Sequence, residues 1–167
     1  WESVGAFPGE EVELVKAYPR EAATQLSRAG LLAVTTKLNG GKGSGLYLSR
    51  DCGETWEPGP KTRFRIEDMA WMDRDGLPSL LFATDLGLYE LTARAGAGPL
   101  QIVVDPGDLA LGFYAVAVST DTWGKTSVAL AARNDRGVFL SSDGGKPNTF
   151  VNIGLNGEMV RILAVQH

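Results

Sequence analysis

Two residue types that carry much of enzyme chemistry are almost missing from this sequence, which has one cysteine and one histidine among 167 residues. With Cys52 alone no internal disulfide can form, and its place at a variable site of a turn marks it as an exposed structural bystander. The histidine is the terminal His167, so a His-dependent triad or a multi-histidine metal site is excluded within this segment. Long apolar runs are missing as well. No stretch approaches the roughly 18 apolar residues of a membrane span, and no basic-then-apolar leader opens the sequence. Positive charge is in deficit, with 16 Lys and Arg against 20 Asp and Glu and a net charge of −4, which argues against a nucleic-acid partner.

What is abundant is turn chemistry. Twenty-one glycines, 44% hydrophobic and 22% charged residues describe a globular domain rich in turns and poor in long helices. The tripeptide Gly45-Leu46-Tyr47 recurs as Gly87-Leu88-Tyr89 and as Gly137-Val138-Phe139. Each copy follows a short apolar β-rich run: Leu31 to Thr36, Leu80 to Thr84 and Val128 to Ala132. Runs this short, bounded by Gly, Asp and Asn, favour strands over helices. The first tripeptide leads into Ser49-Arg50-Asp51-Cys52-Gly53-Glu54-Thr55-Trp56, which fits the pattern S-x-D-x-G-x-T-W at every fixed position. In such a turn Asp51 accepts backbone N–H bonds, Gly53 permits positive φ and Trp56 anchors the next strand. After the third tripeptide, Ser141, Asp143 and Gly145 begin a second copy whose ending is delayed to Thr149-Phe150; the middle repeat carries Glu90-Leu91-Thr92 where Ser-x-Asp would stand.

These motifs resemble the Asp-box or BNR-repeat β-propellers, a broad group that includes sialidases, xyloglucanases, sortilin-type receptors and photosystem-assembly factors. The resemblance covers most of residues 21 to 167. It implies an all-β fold of four-stranded antiparallel blades, about three of them in this chain, and it leans toward a secreted or periplasmic setting. Laying a blade on the repeats places inner strands at Ala22 to Ser27, Ile66 to Met72, Phe113 to Ser119 and Arg161 to Gln166, with outer strands at Thr55 to Phe64, Leu100 to Val104 and Thr149 to Ile153. Residues 1–20 then read as the end of a preceding blade and a linker, 21–65 as a blade with the full box, 66–110 as one without it, 111–160 as one with the degenerate box, and 161–167 as the inner strand of a next blade. Gly9 to Tyr18, with Val12, Leu14 and Lys16 alternating against Glu11, Glu13 and Val15, reads as an outer strand rather than a helix. Propeller rings close with about four to eight blades. The ring is therefore expected to be completed by further blades of the same polypeptide or by another chain.

The expected ligand face gathers the fourth-to-first and second-to-third strand connections, with Arg65, Asp85, Asp105, Asp108 and Arg136 as its charged members. The Asp-box turns lie on the opposite face and serve structure. Lys61, Arg63 and Arg65 alternate along the expected outer strand, forming a solvated edge or an anion-binding stripe. Asp105 and Asp108 alone make a weak calcium site, so no metal is expected. Trp123-Gly124-Lys125-Thr126-Ser127 lacks the P-loop glycine, with Ser119 in its place, and Gly40 to Gly45 reads as a hairpin loop. Trp71 and Trp123 serve core or lid, or stack on sugars or anchor a protein.

Two functions remain. The first is a non-catalytic scaffold for a protein or glycan ligand, with no cofactor. The second is part of a sialidase-like or xyloglucanase-like glycoside hydrolase. Sialidase chemistry implies an arginine cluster, for which Arg20, Arg65 and Arg161 stand near inner-strand starts. Xyloglucanase chemistry needs two carboxylates about 5 to 10 Å apart, for which Asp68 and Glu21 are the weak candidates.

Overall fold

The computed structural model describes residues 7, 10–19, 30–38, 43–60, 62–92 and 98–164. The described chain is all-β, with twelve strands in three four-stranded antiparallel sheets, the building unit of a propeller-like fold. It divides into two compact units, Trp1–Arg65 and Ile66–His167. No helix among the described residues is long and apolar enough to cross a membrane.

The first unit holds one sheet, in the order β1 (Glu11–Ala17), β2 (Leu32–Lys37), β3 (Ser44–Ser49), β4 (Glu57–Pro58). Gly9 to Tyr18 does supply a strand, yet β1 pairs with β2 in register from Ala17 opposite Leu32 to Glu11 opposite Lys37. It is thus the first strand of this sheet, whereas the sequence assigned it to the end of a preceding blade. Alternation shows that a segment is extended; it does not choose the partner. The inner strand expected at Ala22 to Ser27 lies outside the described residues. Strand β4 is also far shorter than the expected Thr55 to Phe64. Pro58 and Pro60 lack the N–H that a ladder needs, and the chain bends at Arg63 and Phe64. Residues 62–65 form no strand, so Arg63 and Arg65 do not alternate along one; Lys61 lies outside the described residues, and Arg65 pairs with Glu13 at 3.7 Å.

The second unit holds two sheets. One runs β5 (Ile66–Arg74), β6 (Leu77–Thr84), β7 (Gly87–Thr92), β8 (Leu100–Ile102); the other runs β9 (Phe113–Thr120), β10 (Thr126–Ala132), β11 (Val138–Ser141), β12 (Phe150–Gly154). Cross-strand partners share a face, so Ala83, Leu88 and Ile102 line one side of the first sheet and Val116, Leu130 and Phe139 one side of the second. These two sides join in one buried cluster with Leu81, Phe113 and Val128. Burying such side chains contributes about 1.5 to 3 kcal/mol each. Residues 161–164 form no strand and pair with no neighbour, so the expected inner strand from Arg161 is absent over those positions; 165–167 lie outside the described residues.

The two turns that open with Ser49 and Ser141 share one serine-centred hydrogen-bond pattern. Ser49 Oγ accepts from the Asp51 and Gly53 amides at 3.3 and 2.8 Å, and Asp51 Oδ1 accepts from the Thr55 amide at 2.8 Å. In the second turn Ser141 Oγ accepts from Asp143 and Gly145 at 3.2 and 3.1 Å in the same way. Its Asp143 turns outward to Lys146, and Thr149 meets Ser141 directly at 2.6 Å, because the two extra residues move Thr149 away from the aspartate. Trp56 is half-buried, edge-on to Phe7 at 5.5 Å.

Candidate functional site

The strands of the second unit end in two chemically different faces. At the end where β5 and β9 begin, the charged side chains satisfy one another. Arg136 bonds Asp105 at 2.7 Å and Asp108 at 3.4 Å, while Asp105 Oδ1 also accepts from the Gly107 amide at 2.8 Å. A cation at this loop would have to displace the guanidinium, so the acids here act as anchors for Arg136. Arg133 pairs with Glu67 at 3.5 Å and lies 4.7 Å above the Tyr114 ring, with Arg161 at 4.9 Å from the same ring. Asp85 stands close enough to Tyr89 that its charge adds to burial in raising that phenol above its ordinary value.

Asp68 has a structural engagement on each oxygen. Oδ1 accepts from the Met69 amide at 2.8 Å and Oδ2 from the Val116 amide at 3.1 Å, so the carboxylate ties β5 to β9 across neighbouring sheets. Glu21, the second candidate, lies outside the described residues. Arg65 belongs to the first unit, while Asp85, Asp105, Asp108 and Arg136 share one end of the second.

A concave surface lies at the other end, beside the Ser141 turn, where the sequence offered only Trp123 as a residue that could meet a ligand. A cavity of about 550 Å³ opens there between the β5–β6 hairpin, the β9–β10 hairpin and the second Asp-box turn. The β5–β6 connection is a two-residue Asp75-Gly76 turn with φ of 51° and 77°, the left-handed pair that a type I′ hairpin requires. It projects Asp73, Arg74 and Asp75 into the wall. Arg74 grips Glu90 bidentately, with both bonds at 2.9 Å, and Ser79 Oγ donates to Glu90 at 2.5 Å. The two charged side chains are only 18% and 12% exposed, so this network is held rigidly.

On the facing wall Lys146 pairs with Asp143 at 2.9 Å, and Gly144 presents its backbone within 3.4 Å of Arg74, measured from the position its Cβ would take. Lys125 and Gly124 come from the β9–β10 loop, and Gln101 and Leu100 from β8. That loop is fixed by Asp121, whose Oδ1 accepts from the amides of Trp123 at 3.0 Å and Lys125 at 2.8 Å. Trp123, next to Gly124, is 88% exposed and serves no core. A site with converging polar groups, a fixed loop and this volume is of the size that takes small ligands, roughly 300 to 1,000 Å³. The available sequence signal was Asp75-Gly76 between apolar runs, which marks a hairpin, with Arg74 just before it. Glu90 gave no signal, since its partner stands sixteen residues away.

No family model matches the sequence, and no curated protein matches it. Among solved structures, an exo-beta-1,3-galactanase from Clostridium thermocellum is similar over 75% of this chain and 35% of its own, with 14% identity and a TM-score of 0.41.

Proposed function

We propose that the chain is a non-catalytic binding module whose sheets hold a protein or glycan ligand on a rigid frame. The observation that supports it most is the engagement of Asp68: the carboxylate expected to react accepts one backbone amide on each oxygen. The charged residues of the same end are likewise held in ion pairs. Two pairs in the wall of the cavity at the other end, Arg74 with Glu90 and Lys146 with Asp143, are already joined, which suits orienting a ligand better than transferring a proton to it.

A glycoside-hydrolase reading keeps one observation in its favour, the acids Asp73, Asp75 and Glu90 along the cavity wall. The two readings part on turnover. The module is expected to release no aryl alcohol above the blank from nitrophenyl glycosides. Hydrolysis that Asp68→Asn or Asp75→Asn abolishes, with the amide spectrum otherwise unchanged, would overturn the proposal.

A further inference from the structure

The cavity of the second unit has no assigned occupant, and its walls restrict the chemistry of one. Its acids, Asp73, Asp75, Glu90 and Asp143, are matched against Arg74, Lys125 and Lys146, so neither sign dominates and a polyanion or polycation gains little. Its most enclosed polar groups are planar and locked: Arg74 and Glu90 lie flat against each other through two bonds of 2.9 Å, and Ser79 holds Glu90 from behind. Fixed planar donors and acceptors match adjacent hydroxyls, each of which can donate and accept at once. Gln101 also lines the wall, but its side-chain amide is engaged elsewhere, Nε2 donating to the Leu109 carbonyl at 2.8 Å.

The second observation is Trp123. An indole 88% exposed gains no folding energy where it stands, yet Asp121 fixes its backbone in a tight turn directly beside the cavity-lining Gly124. An exposed apolar ring on the residue next to a cavity-lining glycine is available as a stacking surface for a ligand with one apolar face and a hydroxylated edge. A peptide would ask for a deep apolar pocket, whereas Met72 and Ile102 of this wall are buried in the fold and only Leu100 is a strongly exposed apolar side chain there.

From these features we infer that the cavity binds neutral carbohydrate, with a sugar ring stacked on Trp123 and hydroxyls bonded by Arg74, Glu90 and Lys125. The inference rests on the binding-module reading and names its ligand. The pairing Arg74–Glu90 supplies geometry and Lys125 an ammonium at the rim, while Asp121 acts as a positioning residue for the loop.

The test is an amide shift titration of the full chain with short neutral β-linked oligosaccharides of glucose and of galactose, alongside a pool of unstructured peptides of mixed sequence. Saturable shifts at Lys125, Glu90, Gln101 and the Trp123 indole are expected with a saccharide, in the millimolar range typical of one stacked ring and a few hydrogen bonds, on the order of −4 kcal/mol. Trp123→Ala should weaken that binding about tenfold or more, and Trp123→Phe should restore part of it. Because the side chain is exposed, both variants should keep the parent spectrum elsewhere, which separates lost binding from lost fold. Shifts at the cavity with the peptides and none with the saccharides would overturn the carbohydrate assignment and leave the binding module standing. Silence toward both would overturn the two together, and saccharide binding untouched by Trp123→Ala would overturn the stacked geometry.

Discussion

Asp51 sits at the surface and still holds its proton only in strong acid. The Thr55 hydroxyl and amide, and then the Ser49 hydroxyl, bond its carboxylate and lower its pKa from 3.8 to about 2. The unfolded chain therefore takes up the proton first. The turn's contribution is complete above about pH 4 and is lost as the pH falls toward the folded value. Asp51→Ala should accordingly shift the urea midpoint at neutral pH, and that shift should shrink toward zero near pH 2; a shift that stays constant down the whole range would mean that the ionised carboxylate does not hold the turn. Thr35 makes the opposite case. Its side chain is fully buried in β2, and among the described residues its hydroxyl has no hydrogen-bond partner. An unsatisfied buried polar group costs about 1 to 3 kcal/mol, and valine has the same branched shape without the hydroxyl. Thr35→Val should raise stability by about 1 kcal/mol in chemical denaturation, and an unchanged or lowered value would show that the hydroxyl is satisfied.

At the scale of the element, the Ser49 and Ser141 turns separate what the shared S-x-D-x-G pattern must keep from what it can lose. The serine keeps its work in both turns, accepting two amides from a buried position, with Ser49 and Ser141 each at most 1% exposed. The aspartate does not, since Asp143 bonds an exposed lysine in place of the turn's threonine. Ser141→Ala should therefore cost about 1 to 3 kcal/mol by leaving buried amides unpaired, while Asp143→Ala should stay within about 0.5 kcal/mol. Equal losses in a melting comparison would put the aspartate back at the centre of the second turn. The left-handed position after the aspartate is filled by Cys52 at φ 62° in one turn and Gly144 at φ 62° in the other; glycine takes that conformation freely, whereas the cysteine takes it at a steric cost.

The same elements show how far a sequence of this kind can be read. Strands β6, β7, β10 and β11 were legible because an apolar run and the Gly-Leu-Tyr repeat mark each pair locally. The partner of β1 was not, because pairing joins residues that are distant in sequence, such as Ala17 and Leu32. The cavity was missed for a related reason: Arg74 and Glu90 meet only once β5, β6 and β7 have paired, and no short pattern records a contact made by three strands.

At the scale of the whole molecule, the described architecture rests on how adjacent sheets are joined, and in the second unit one side chain links them in addition to the apolar cluster. Asp68 lies beside the register shift in β5 between Ile66 and Asp68, which turns its carboxylate toward Val116 of β9. The apolar cluster is non-directional and would tolerate some sliding of one sheet on the other, whereas a carboxylate shared between the Met69 and Val116 amides fixes their relative register. Asp68→Ala leaves the Val116 amide without that acceptor at a cost of about 1 to 3 kcal/mol, and Asp68→Asn keeps a neutral carbonyl acceptor for one amide and should cost less. If the carboxylate is a clamp between sheets, amide exchange in Asp68→Ala should accelerate together at Met69 in β5 and Val116 in β9, with Leu81 in the middle of β6 less affected. Acceleration confined to Met69 would reduce the contact to a local cap within one strand. It would also free one carboxylate oxygen for the chemistry that the binding-module reading denies it, so this exchange measurement bears on fold and function at once.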